Sequence, residues 1–204
     1  MARYCFPLAI ALLALIGIAA LLLGGPQTRI DPVVLAAFAE PALVPTARFL
    51  THLGDGWTVL GASAVAAAWL LRNGHRRRAI LLLVILSSQR LLVEAMKTGF
   101  DRARPDVAGR QVAVHNMAFP SGHSANAMAI WLAIALLATG PKGRRPAVGL
   151  ALAVALVVGL CRMVLQVHWP SDVAGGWAFG AAWTLLLVHL FGTAPPAPPS
   201  LRGA

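Results

Sequence analysis

Six long apolar runs, separated by short polar connections, decide what this chain can fold into. They are roughly Phe6–Leu23, Trp57–Leu71, Ala79–Met96, Ser121–Thr139, Ala147–Leu165 and Val173–Phe191. Most approach the ~20 residues needed to cross a hydrocarbon core, and Trp57–Leu71 is the shortest. Of 204 residues, 58% are apolar and only 12% are charged, against about a quarter charged in ordinary soluble chains. A soluble domain of this length has too little interior to hide that much apolar surface. The expectation is an all-α polytopic membrane bundle of about six transmembrane helices, forming a single domain over residues 1–191. Residues 192–204, rich in Pro and Ala, read as a disordered tail. Arg3 followed by Phe6–Leu23 would suit a signal peptide, but the run is longer than a secretory core and no A-x-A site precedes Pro26. It is read as a retained first helix.

The charges orient the bundle. With the N-terminus in the cytoplasm, Arg3, Arg72, Arg76, Arg77, Arg78, Lys142, Arg144, Arg145 and Arg202 all fall on the inner side, with no acid among them. Asp31, Glu40, Asp55, Asp101, Asp106 and Asp172 fall on the other. Tight basic connections are where the positive-inside rule applies best, so both termini are expected in the cytoplasm of a cell-membrane protein. The net charge of +10 is therefore a topology and headgroup signal, and no nucleic-acid partner is expected. Cys5 and Cys161 form no disulfide or metal framework.

This topology gathers the unusual polar residues on the outer face. One patch runs from Lys97 through Arg104 to Pro105, at the end of the third run. A second is Pro120-Ser121-Gly122-His123, opening the fourth. A third runs from Arg162 through His168 to Asp172, between the fifth and sixth. Lys97, Arg104 and Arg162 bring three cations to a membrane edge, where an anionic partner is expected. Arg matches phosphate oxygens as a planar fork, and Lys adds a point charge. Ser121 stands at a helix N-cap position and Gly122 permits close backbone approach, so free N–H groups would face the same anion. His123 and His168 add acid–base and nucleophilic capacity. Pro170 suits the first position of a helix, which places Asp172 in its first turn, near enough to hold a ring nitrogen of His168.

The spacing Lys97-x6-Arg104-Pro105, then Pro120-Ser121-Gly122-His123, then Arg162-x5-His168-x3-Asp172 resembles the three-part signature of the type 2 phosphatidic acid phosphatase superfamily. Ordered matches in three segments are more specific than any single short motif. The resemblance implies an integral membrane phosphatase acting on a lipid-linked phosphate or diphosphate, with no metal and no cofactor. His168 would be the nucleophile, forming a phosphohistidine, and Asp172 would orient it. His123 would protonate the leaving group and then activate water. Lys97, Arg104, Arg162, Ser121 and the Gly122 backbone would bind the phosphoryl oxygens. The family commonly has Ser before its third-patch arginine, where this chain has Cys161. Undecaprenyl diphosphate is the preferred substrate; phosphatidylglycerol phosphate, phosphatidate and a lipid A phosphate stay open, and the oligomeric state is unknown.

Plainer roles suit other residues. Arg72, Arg76, Arg77, Arg78, Lys142, Arg144 and Arg145 read as snorkelling cations. His52, His75, His115 and His189 read as surface or interfacial. Arg90 and Glu94, four apart, are expected to neutralise each other. Gly176 and Gly180 suggest close helix packing, and Trp57, Trp69 and Trp169 interfacial anchoring. Two other functions compete. An anion transporter or channel would use the cations but leave His168 and Asp172 redundant. A vanadium haloperoxidase would share the pocket, but those enzymes are soluble.

Overall fold

The computed structural model describes residues 2–25, 28–105 and 117–192. His115 and the tail beyond Gly192 lie outside them. Eight α-helices follow in order: α1 (Ala2–Leu23), α2 (Ile30–Ala36), α3 (Val44–Thr51), α4 (Gly56–Arg72), α5 (Arg76–Phe100), α6 (Gly122–Leu137), α7 (Pro141–Val164) and α8 (Pro170–Phe191). Short 3-10 turns at Pro41–Leu43 and His52–Gly54 flank α3. Each of the six apolar runs became one helix: α1, α4, α5, α6, α7 and α8. By length and composition, α5, α7 and α8 can each cross a membrane. The pair Ile30–Ala36 and Pro41–Gly54, bent by 73°, is apolar enough for a broken span or a re-entrant loop. The short helices α2 and α3 were not marked in the sequence, because they are brief and carry Asp31, Pro32, Pro45 and Arg48 among their apolar residues.

The architecture is built around α6. Its sequence is apolar on every side and rich in Ala, so it has no face for solvent or lipid and is buried nearly all round. It packs against α4, α5, α7 and α8, while α1 packs on α8 and α3 on α7. Small residues set the closest approach. A Cβ on Gly176 would stand 2.6 Å from the Ser121 carbonyl oxygen, and one on Gly180 would stand 2.7 Å from that of Ala125. The glycine pair of α8 therefore does pack tightly, against α6. Ser121 caps α6 as expected, its side chain accepting from the Ser124 N–H, and Pro170 opens α8.

Because consecutive long helices alternate in direction, α4, α6 and α8 begin where α1, α5 and α7 end. Asp101 ends α5 in the left-handed conformation (φ 46°), which Asp tolerates better than most residues. The turn brings Arg102 inward, where it donates to the Ala20 and Leu21 carbonyls at the end of α1. Gln166 makes a second left-handed turn after α7 (φ 56°) and is tied by its amide to the Leu35 carbonyl of α2. His168 and Trp169 follow, both buried.

Two sequence readings need correction here. Trp169 is 6% exposed and is no interfacial anchor: its indole donates to the Ala103 carbonyl at 3.0 Å, and its ring packs with Leu35, Met163 and Val173. Glu94 pairs with Lys97 at 3.8 Å, and no ion pair joins it to Arg90 among the described residues. The Arg90 guanidinium lies instead against Gly56 at the start of α4.

Candidate active site

Lys97, Arg104, Gly122, His123, Arg162 and His168, drawn from all three patches, line one cavity of about 650 Å³. Its remaining wall comes from α4 and α5 and includes Trp57, Val59, Leu60 and Leu86. The apolar side chains stand beside Ser87, Arg90 and Glu94 of α5, so that wall is mixed in character. Gly122 matters for its missing side chain, since a Cβ there would lie 3.5 Å from the Lys97 ammonium nitrogen. Ser121 is fully buried and does not line the cavity. Its hydroxyl accepts from that of Ser124 at 3.0 Å, and its N–H donates to the Asp172 carbonyl at 2.9 Å. It joins the starts of α6 and α8.

His168 sits at the back, 1% exposed. Arg104 Nη1 lies 3.0 Å from its Nε2 and also donates to the Val167 carbonyl at 2.8 Å. A guanidinium has no lone pair to offer, so Nε2 must accept, and the ring proton belongs on Nδ1. Burial holds this imidazole well below the ordinary histidine range, with Arg104 and Arg162 adding to the effect. The ring is therefore neutral, with its Nε2 facing Arg104 in a cavity that also holds Lys97 and Arg162; a neutral imidazole is the state a nucleophile requires.

Asp172 stands behind it, fully buried. Its Oδ2 is 3.4 Å from His168 Nδ1, an electrostatic neighbour that makes no hydrogen bond to it, and Nδ1 has no hydrogen-bond partner among the described residues. The carboxylate is fixed by other groups: the Trp169 N–H on Oδ2 at 2.9 Å and Arg102 on Oδ1 at 2.9 Å. Arg102 also donates to Ser171 Oγ and covers the Phe119 ring at 4.5 Å. Ser171 is in turn bonded to Asp31. Arg162, 4% exposed, donates to Thr51 Oγ1 at 3.2 Å, while its Nε has no hydrogen-bond partner among the described residues. Cys161 is a buried free thiol.

His123 comes from the first turn of α6, and its Nε2 meets Asp55 Oδ1 at 2.6 Å. The other Asp55 oxygen meets His52 Nδ1 at 2.5 Å. Neither Asp55 nor Arg102 was singled out from the sequence. Arg102 lay in plain view inside the first patch. Asp55 lies 68 residues before its partner, and its only local signal was an acid at the cap position ahead of an apolar run.

The pattern of the PAP2 superfamily matches residues 77–196. Phosphatidylglycerophosphatase B of Bacillus subtilis is 29% identical over 181 residues, covering 85% of this chain and 89% of the relative. A decaprenylphosphoryl-5-phosphoribose phosphatase of Mycobacterium tuberculosis is 35% identical over 150 residues, covering 70% and 77%. A lipid A 1-phosphatase of Rhizobium johnstonii is 36% identical over 110 residues, covering 50% and 43%. Among solved structures, the transmembrane PAP2 type phosphatidylglycerolphosphate phosphatase of Bacillus subtilis superposes with a TM-score of 0.78 at 26% identity, covering 92% of this chain and 96% of that one.

Proposed function

The chain belongs to the PAP2 superfamily, as a membrane lipid phosphatase of that type, and from this premise we propose that it hydrolyses a lipid-linked phosphate or diphosphate through a phosphohistidine on His168. The observation that carries the reading is the neutral, buried His168, its Nε2 lone pair held by Arg104 in a cavity that also holds Lys97 and Arg162. In the first step the Arg104 N–H that holds Nε2 turns to a phosphoryl oxygen of the bound substrate, the freed Nε2 lone pair attacks phosphorus, and the bond to the leaving oxygen breaks. That oxygen keeps the electron pair and takes a proton from His123. The phosphorylated ring then carries positive charge, which Asp172 stabilises across 3.4 Å. In the second step His123 takes a proton from water, the resulting hydroxide attacks phosphorus, and the N–P bond breaks to return His168. Lys97, Arg104, Arg162 and the N–H groups at the start of α6 hold the phosphoryl oxygens in both steps. Ser121 contributes by fixing that helix start.

The apolar part of the wall supports a substrate whose tail stays in lipid while its phosphate enters from the interface. The relatives act, by their names, on phosphatidylglycerophosphate, lipid A and a decaprenyl-linked phosphate. We place undecaprenyl diphosphate first, because Arg90 lies in the same cavity and adds a cation beyond the three that hold one phosphoryl group. We further propose six spans with both termini in the cytoplasm and the cavity open to the extracytoplasmic face. The test is phosphate release by the purified protein from a panel of lipid phosphates and diphosphates in excess chelator. Turnover that is lost in His168→Ala, along with any acid-labile phosphoenzyme, is expected. Activity that vanishes in chelator and returns with a divalent ion would refute the mechanism, and anion flux in liposomes without hydrolysis would favour a transporter.

A further inference from the structure

The proposed reaction asks one nitrogen of His123 to give a proton to the leaving group and later take one from water. The structure shows what keeps that nitrogen in place. Asp55 stands at the N-cap of α4, where an aspartate usually accepts from the backbone N–H groups of the first turn. Here it makes no side-chain cap bond. Both its oxygens go to imidazoles, Oδ1 to His123 Nε2 at 2.6 Å and Oδ2 to His52 Nδ1 at 2.5 Å.

The corner that carries Asp55 is fastened to α6, the helix that carries His123. The Asn126 amide donates to the Gly54 carbonyl at 3.1 Å, and the Trp131 indole to that of Leu53 at 3.0 Å. A Cβ on Gly54 would stand 2.7 Å from the His123 carbonyl oxygen, so only glycine allows this approach. Asp55 lies outside the residues matched by the family pattern.

We propose that Asp55 is the positioning residue of the acid–base step, bridging His123 to His52 so that His123 Nδ1 faces the leaving oxygen in both halves of the cycle. The inference rests on the acid–base role of His123 given above. A carboxylate has only lone pairs to offer, so His123 Nε2 must carry a proton. The hydrogen bond from His123 is the largest cause holding the Asp55 carboxyl down, against burial and with help from His52, to about 2. Asp55 is thus ionised throughout the working range. With Nε2–H committed to Asp55, the mobile proton resides on Nδ1 in the imidazolium, and the Nδ1 lone pair is exposed after donation. His52, with a side chain 67% exposed, holds the second oxygen and stops the carboxylate from rotating away. The other groups acting on His123 are Lys97 of α5 and Arg162 of α7, both cations. Asp55 is therefore the acid that offsets them at this ring.

The experiment compares Asp55→Asn, His52→Ala, His123→Ala and the Asp55→Asn/His123→Ala pair in purified protein. Substrates are the best lipid phosphomonoester of the panel and p-nitrophenyl phosphate, whose leaving group needs little protonation. His123→Ala should lose the ~10²–10⁴-fold of a general acid on the lipid and far less on the aryl ester. Asp55→Asn should show the same selectivity at on the order of 10²-fold, with no further loss in the double variant. His52→Ala should show it more weakly. If His123→Ala itself is unselective, the acid assignment falls and this inference with it. If His123→Ala is selective but Asp55→Asn loses both substrates equally, or retains lipid turnover within about twofold, the inference alone is overturned. Should Asp55→Asn fail to fold, His52→Ala decides: its ring is largely outside the packed interior, and unchanged lipid turnover would overturn the bridge.

Discussion

Replacing Arg102 by Met should separate what holds the Asp172 carboxylate beside His168 from what performs the proposed chemistry. Arg102 is 7% exposed on its side chain and Asp172 is 0% exposed. The guanidinium makes four bonds, to Asp172 Oδ1, Ser171 Oγ and the carbonyls of Ala20 and Leu21. Met keeps the apolar stem of Arg102 but ends short of the guanidinium that covers Phe119, so a small packing loss accompanies the larger electrostatic one. Removing one partner of a buried ion pair leaves an uncompensated charge, at a cost of about 3–5 kcal/mol. For a chain of this size each kcal/mol lowers the midpoint by roughly 2–4 °C, so a drop of roughly 6–20 °C is expected. Thermal unfolding in detergent measures it. Adding Asp172→Asn should recover much of that loss, because a buried pair replaced as a pair is often nearly neutral. Turnover should not recover, since in the proposed mechanism the phosphorylated His168 then has no counter-charge. An Arg102→Met protein within about 1 kcal/mol of the parent would refute the reasoning. So would a double variant no more stable than the single one.

Acid should destabilise the protein partly through His168. Its folded value lies well below the ordinary one, so between about pH 6.5 and that folded value the unfolded chain binds a proton that the folded chain refuses, and stability falls as pH falls. Midpoints at about pH 7.5 and about pH 5 should therefore differ less in His168→Gln than in the parent; an equal difference would contradict the neutral assignment. Gly176→Ala would press a Cβ to 2.6 Å from a backbone oxygen of α6 and should cost ~1–3 kcal/mol by overpacking. Gly149→Ala meets nothing within 4 Å and should be neutral or stabilise by up to ~1 kcal/mol, both read as midpoints in detergent.

The six apolar runs were legible because a long apolar helix advertises itself by composition, whether it faces outward or, like α6, only other helices. The three patches were legible because their polar residues stand at fixed gaps near helix ends, those ends were visible as the edges of the runs, and residues from all three patches line one cavity. What escaped depended on partners distant in the chain. Arg90 and Glu94 had the right spacing to pair on one helix, yet Glu94 reaches Lys97 and Arg90 reaches Gly56 of α4, a neighbour that only packing supplies. Trp169 had the composition of an interface residue, but the left-handed turn at Gln166 folds the α7–α8 connection inward and buries it.

The two histidines make the same point within the site. Each is placed beside a carboxylate, but the pairs differ in how the chain delivers them. His168 and Asp172 are four residues apart at a helix start, so local geometry brings them within 3.4 Å, and spacing alone suggested it. His123 and Asp55 meet at 2.6 Å across 68 residues, and that meeting requires the bent pair of α2 and α3 to deliver the start of α4 onto α6. The local pair leaves its ring nitrogen short of a true hydrogen bond and depends on Arg102 and the Trp169 N–H to hold the acid still. The distant pair makes a short bond and is steadied by His52. In the proposed mechanism His168 becomes cationic only while phosphorylated and is served by a charge held slightly apart, whereas His123 exchanges one proton at one nitrogen and is served by direct contact at the other.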